Sequence, residues 1–262
     1  MLARSRGNTR QGEVHKGHRA GAGPEIVIVH SSDLHLGDVA TIQACGGDDT
    51  LPLRQVLVTA GAVKADLVLL AGDVFEHNRL AVDILERTAR ILGDLCTPVV
   101  ILPGNHDPAI EDSVYRRGPI AEPKNVSILG VTHGKAVTFS GLDLEVWGHA
   151  HLNYDDMVPL RMPRLRRTRW QIAMAHGHYH PKPDRDAGPN PAWLIGREEI
   201  TATKVDYLAL GHWNRATRVG DREVPAYYSG SPDLSESVNV VRLKLDGKAV
   251  VRRRRIAGVD RV

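Results

Sequence analysis

The sequence predicts an α/β fold in which two mixed sheets pack face to face with helices outside. Three observations predict it. Between residues 25 and 103 apolar strand-like runs alternate with segments of helical periodicity, which is the pattern of parallel strands joined by crossover helices. From about residue 124 short strand-like runs follow one another closely, which calls for a second sheet. The ends of several apolar runs carry His, Asp or Asn, and in open α/β folds ligands gather outside the carboxyl ends of strands.

The elements follow in order. EIVIVH at 25–30 reads as a buried strand. In 51–64 the apolar positions Leu53, Val56, Leu57, Ala60 and Val63 have helical spacing. A strand is expected at 66–71 and a second helix at 80–95, with Ile84, Leu85, Ile91, Leu92 and Leu95 on one face. A third strand at 98–103 opens on Pro98, a position where proline is tolerated. The runs NVSILG, KAVTF and LDLEVWG then predict short strands, and the basic segment 157–168 reads as a helix. QIAMAH and DYLALGH predict two further strands, and PAYYSG, NVVRLKL and KAVVRRRRI end the chain as a meander. Asp246-Gly247 marks the last hairpin turn.

The chain of 262 residues is expected to form one domain over 25–257, preceded by a flexible basic leader at 1–24. The leader has no apolar core of the kind a secretory signal needs, and no apolar run approaches the roughly 20 residues of a membrane span. Cys45 and Cys96 form no CxxC pair, which excludes zinc-ribbon and thioredoxin readings and fits a reducing, cytoplasmic compartment. The net charge of +3 permits a phosphate-bearing partner without requiring one.

The residues at the strand ends are Asp33 and His35 in SDLHLG, Asp73 in AGDVF, Asn105 and His106 in PGNHD, His176 in MAHG, and His212 in LGHWN. Mixed oxygen and imidazole donors suit borderline divalent metals. Asp73 is the natural bridging carboxylate, because it ends a buried strand and Gly72 lets the backbone turn. Two ions roughly 3.5–4 Å apart hold a hydroxide and clamp a phosphoryl group for in-line attack. Each motif alone is also explained by a helix cap or a turn; the ordered set is not.

In combination, DLH, GDVFEHN, GNHD, HG and GHWN resemble the ordered motifs of calcineurin-like metallophosphoesterases. IVHSSDLHLG, LPGNHD, DYLALGHWNRA and YYSGSPDLSE are similar to the SbcD-like repair exonucleases within that family. The resemblance implies a four-layer α-β-β-α sandwich and a phosphoesterase, most simply a phosphodiesterase. It implies Asp33 and His35 on a first metal, Asp73 as the bridge, and Asn105, His176 and His212 on a second. His106 would face the substrate as general acid, with Asp107 orienting it.

Asn214 stands where the family pattern has a second His. Its amide oxygen is a harder, weaker donor than imidazole, so the expected pair of ions is manganese first, with iron, zinc or cobalt as alternatives. Asn78, His149 and His178 are the expected substrate contacts, His149 and Asn78 having a surface-loop or capping role as the simpler explanation. The Arg-rich stretches 161–169 and 252–255 read as solvated faces, with phosphate-backbone contact as the alternative. The sequence runs out after the last predicted hairpin, so the capping and ATPase-binding segments of the SbcD-like branch are not expected, nor is an ATPase partner. An SbcD-like manganese-dependent nuclease acting on nucleic acid is the nearest alternative function. A non-catalytic scaffold, as in the retromer subunit of the same fold, is the second.

Overall fold

A computed structural model describes residues 25–184 and 193–258. The expected leader at 1–24 lies outside the described residues. The first sheet is built on β1 (Glu25–Ser31), β2 (Leu67–Ala71), β3 (Val99–Leu102) and β4 (Val126–Ile128), which run parallel. The connections between the first three strands carry the short α1 (Val39–Ala44), then α2 (Leu51–Ala62) and α3 (Val82–Gly93). A short α4 (Val114–Arg117) follows β3.

The second sheet takes β5 (Ala136–Phe139), β6 (Leu144–Gly148) and β7 (Trp170–His176). A minor two-stranded pair, β8 (His178–Tyr179) and β9 (Leu194–Ile195), leads to α5 (Arg197–Thr203). Then come β10 (Tyr207–Gly211), β11 (Thr217–Val219) and β12 (Ala226–Tyr228). After α6 (Pro232–Ser235) the chain returns to the first sheet as β13 (Ser237–Lys244) and β14 (Ala249–Arg255). The strand orders are β14-β13-β1-β2-β3-β4 and β11-β12-β10-β7-β6-β5. Both sheets are mixed, parallel at the centre with antiparallel strands at one or both edges.

Alternation along the buried strands divides the core. Ile26, Ile28, Leu67, Leu69 and Val100 face the other sheet and meet Val146, Ile172 and Met174 there. Val27, Val29, Val68 and Ile101 face outward onto Leu53, Val56, Leu85 and Leu92 of α2 and α3. A strand buried on both faces needs apolar residues at every position, which is why these strands read as unbroken apolar runs. The outer face of the second sheet buries Ala173, Leu208 and Leu210 under Leu160, Ile195 and Ile200. The order is helices, sheet, sheet, and a thinner outer layer, the four-layer sandwich the sequence predicts.

The predicted helix at 157–168 does not form; the segment is irregular. Pro159 and Pro163 interrupt it, and the residue before a proline is pushed out of helical geometry. Met162, which precedes Pro163, has φ 55°. The arginines there serve structure. Arg164 reaches the buried Glu145 at 2.9 Å, and Arg166 pairs with Asp206 at 2.6 Å. Arg252–Arg255 lie on β14, an edge strand, where exposed charge discourages pairing with other chains.

One polar network crosses the inter-sheet core. His30 Nδ1 lies 2.8 Å from the Tyr207 hydroxyl, and both side chains are fully buried. Burial pulls the His30 imidazole down to about 3, against a hydrogen bond to the Leu210 backbone that raises it. The unfolded chain, with an ordinary histidine near 6.5, then binds a proton that the folded chain refuses. Stability is therefore lost as pH falls below about 6.5. Urea unfolding midpoints across pH 4.5–7.5 check this. The double variant His30→Leu, Tyr207→Phe replaces both partners with apolar groups and is expected to flatten this part of the profile.

Candidate metal centre

The seven expected ligands come from five loops at the carboxyl ends of β1, β2, β3, β7 and β10. Four of them take backbone conformations that L-residues rarely adopt: Asp33 (φ 54°), His35 (φ 47°), Asp73 (φ 50°) and His212 (φ 106°). Such strain persists where surrounding structure enforces it, and it clusters at functional sites. Here the Asp33 amide donates to the Gly72 carbonyl (3.0 Å) and the His35 amide to the Asp73 carbonyl (3.1 Å), tying the two loops together.

Glycine is required where these loops converge. A Cβ on Gly72, itself at φ 92°, would lie 2.0 Å from His176 Nδ1. A Cβ on Gly104 would lie 2.2 Å from Asp73 Oδ1. Both would displace a ligand.

The second-metal donors meet closely. His176 Nδ1 donates to the Ala71 carbonyl at 2.8 Å, which turns Nε2 inward. That nitrogen lies 3.0 Å from Asp73 Oδ2 and 3.0 Å from Asn105 Oδ1. His212 Nδ1 lies 3.2 Å from the same Asn105 oxygen. On the first-metal side, atoms of Asp33, His35 and Asp73 all lie within 4.8 Å of one another. Asp73 belongs to both groups, as a bridge must.

The charge balance fits cations. Asp33, Asp73 and Asp107 are each at most 2% exposed, and among the described residues none pairs with Lys or Arg. Burial pushes Asp33 up to about 6, with His176 opposing and the neighbouring Asp73 adding to the rise. Burial also works against the Asp73 carboxylate, but the imidazoles of His176, His106 and His35 hold it below its ordinary value. For His176, burial would lower the imidazole, and Asp73 and Asp33 reverse this to about 9. Buried carboxylates drawing protons from each other and onto imidazole are what a pair of divalent ions would relieve.

His106 stands beside the ligands. Its amide donates to Asp73 Oδ1 (2.9 Å), its Nδ1 donates to the Glu76 carbonyl (3.0 Å), and its ring packs edge-on against His35 at 4.8 Å. It lines a cleft of about 570 Å³ with Asn105, Glu76, Asn78, Arg79 and Tyr154. Burial lowers the imidazole, but Asp73 and the Glu76 hydrogen bond outweigh it and hold His106 above its ordinary value.

Asp107 does not hold His106, contrary to the expectation from sequence. Its carboxylate accepts from the Gly104 amide (2.7 Å), the Phe75 amide (3.0 Å) and the Tyr115 hydroxyl (2.5 Å). It fixes the GNHD loop against the GDVF loop. The residue behind His106 is Glu76, which the sequence reading missed. Its carboxylate accepts from His35 Nδ1 at 2.7 Å and lies 3.5 Å from His106 Nδ1. The signal was present: a carboxylate three residues after the bridging Asp, in the same loop.

Asn78 also differs from expectation. It is buried, its amide nitrogen donates to the Pro108 carbonyl (2.9 Å), and its oxygen accepts from the Val114 amide (2.9 Å). It caps α4 and props the loop after Asn105, so no atom of the amide is left for phosphate. His149 packs edge-on near Trp147 and hydrogen-bonds the backbone at Arg161 and Met162, on the second sheet's outer side. The histidine of that motif nearest the centre is His151, which is buried and whose Nε2 donates to the His176 carbonyl at 2.9 Å. His178 is exposed and accepts from Trp213 Nε1 at 3.0 Å, 6.3 Å from the His212 ring. Asn214 is exposed, while the other six ligand candidates are buried or half-buried. Trp193 and Trp213, also missed, flank the second-metal side, Trp193 lying 5.8 Å from His212 and Trp213 stacking on Tyr228 at 4.4 Å.

No helix among the described residues is long and apolar enough to cross a membrane. Comparison with known proteins agrees with the geometry. A stretch of 84 residues is 31% identical to the SbcD component of the SbcCD nuclease of Staphylococcus epidermidis, covering 30% of this chain and 22% of that one. The chain thus spans well under a third of that relative. Two crystal structures share the fold. One has a TM-score of 0.57 at 12% identity, covering 89% of this chain and all of the other. The second, TT1561 of Thermus thermophilus, has a TM-score of 0.51 at 13% identity, covering 87% of this chain and 99% of that one. The family model for calcineurin-like phosphoesterases matches residues 26–215, and the chain belongs to that family.

Proposed function

We propose that this protein is a metal-dependent phosphodiesterase. The observation that carries the proposal is the pairing of a buried, cation-demanding ligand set with an imidazole, His106, that stands at the mouth of a cleft beside it. Asp33, His35, Asp73 and Asn214 would hold the first ion; Asp73, Asn105, His176 and His212 would hold the second. When bound, such ions polarise phosphoryl oxygens and supply a nucleophile at neutral pH.

The chain's own residues do the rest. The Ala71 carbonyl fixes the His176 tautomer, and Glu76 fixes that of His35, so each presents Nε2 to the centre. His106 is fixed in the same way. With Nδ1 donating to the Glu76 carbonyl, its Nε2 is the nitrogen left to act on substrate. In the imidazolium form, Nε2–H donates a proton to the leaving oxygen as the P–O bond breaks. The cleft that His106 lines together with Arg79 and Tyr154 gives that leaving group room for a large substituent.

A manganese-dependent nuclease of the SbcD-like kind is the second reading, supported by the 84-residue similarity. A scaffold role gives no reason to bury Asp33 beside Asp73 with only imidazoles for cationic partners, since burying like charges together is costly.

An activity matrix tests the proposal. Bis-p-nitrophenyl phosphate, p-nitrophenyl phosphate, and single- and double-stranded DNA are each offered with manganese, iron, cobalt or zinc. The expected result is diester hydrolysis fastest with manganese, with Asn214→His shifting the preference toward zinc. Hydrolysis of DNA alone would replace the proposal with the nuclease reading. No hydrolysis with any ion would overturn both.

A further inference from the structure

We propose that Tyr154 is the stacking face of a subsite for a nucleoside leaving group, so that the substrate is a phosphodiester of mononucleotide or dinucleotide size. This rests on the phosphodiesterase reading and names the substrate class within it. His106 and Tyr154 line the same cleft, and its volume of about 570 Å³ suits one nucleotide unit.

Tyr154 has an unusual combination of properties. It is 53% exposed, and no aromatic ring packs on it among the described residues. Exposed aromatic side chains are usually free to move; this one is tied. Its hydroxyl accepts from Asn78 Nδ2 at 3.3 Å, and Asn78 is itself buried and held at both ends of its amide.

The turn that carries Tyr154 is held as well. Asn153 and Asp155 bond each other twice, at 2.7 and 3.1 Å. Trp193 Nε1 donates to the Asp155 carbonyl at 3.1 Å. The result is an aromatic ring held in place before any ligand arrives, in the same cleft as His106. The cleft carries polar groups of both signs. Arg79 makes no ion pair among the described residues, and Asp112 lines the same cleft. A ring to stack, hydroxyls to bind and a further phosphate to neutralise are the parts of a nucleotide.

Stacking of a base on an aromatic side chain changes affinity by about tenfold or more. The test uses the metal-loaded full chain with thymidylyl-(3′→5′)-thymidine and with its analogue lacking both bases. The wild type is expected to show a KM about tenfold lower for the base-bearing diester. Tyr154→Ala is expected to narrow that ratio to about one, and Tyr154→Phe to restore it, because the ring stacks and the hydroxyl only anchors. An unchanged ratio in Tyr154→Ala overturns the subsite. A loss in Tyr154→Phe as large as in Tyr154→Ala also overturns it, because the effect would then run through the Asn78 anchor. Bis-p-nitrophenyl phosphate is assayed in parallel with the wild type. Turnover there alongside a failed ratio test sinks the subsite alone, whereas no turnover of any diester sinks the phosphodiesterase reading with it.

Discussion

Asp73→Asn is expected to abolish hydrolysis, by about a thousandfold or more, because it removes the one carboxylate shared by both donor groups. The loss is expected without unfolding. In the metal-free protein Asp73 raises the Asp33 carboxyl, so the neutral amide relieves repulsion between two buried acids. The amide oxygen still accepts from the His106 amide, and asparagine keeps the side-chain volume. What is lost is the ion pair with His176. Thermal unfolding of the metal-free forms should therefore give similar midpoints, while added manganese stabilises only the wild type. A variant that retains a tenth or more of wild-type turnover would remove the bridge from the account.

His106→Ala is expected to have the opposite signature. Turnover should fall by about 10²–10⁴, the range for losing a general acid, while the metals stay bound. The structure explains the separation. His106 touches Asp73 through its backbone amide, which alanine keeps, and its side chain is anchored on the Glu76 carbonyl rather than on a ligand oxygen. The effect should also depend on the leaving group. A p-nitrophenolate departs without protonation, so the variant loses less with bis-p-nitrophenyl phosphate than with an alkyl diester. Equal losses on both substrates would mean that His106 acts elsewhere, for example on the attacking side. Loss of manganese from the variant would mean that it is a ligand.

How far this centre was legible in the sequence follows from what each residue does. Asp33, His35, Asp73, Asn105, His176 and His212 each sit at or within a few residues of the end of an apolar strand, so the strand pattern and the topology rule together place them at one edge of the sandwich. The strands themselves were legible because burial on both faces leaves little but apolar residues. Long-range hydrogen bonds leave no such trace. Asp107 follows His106 in sequence, yet its partners are Phe75, Gly104 and Tyr115. Glu76 is 41 residues from His35, so its place three residues after Asp73 marks it as near the centre but does not name its partner. Asn78 next to a helix start reads as a cap for that helix, but it caps α4 instead. The absent helix at 157–168 has a different cause: its basic pattern suggests a helical face, while Pro159 and Pro163 forbid the helix. Tyr154, Trp193 and Trp213 are scattered in sequence and come near the site, Tyr154 in the cleft and the tryptophans beside His212 and His178, only when the loops fold together.

On the proposed reading one buried carboxylate, Asp73, joins two donor groups into a two-ion centre. Manganese binding to metal-free protein, followed by calorimetry and checked by elemental analysis after gel filtration, tests it most directly. Two ions are expected per wild-type chain, and fewer than one per chain of Asp73→Asn. A single ion in the wild type, or undiminished binding by Asp73→Asn, would contradict it.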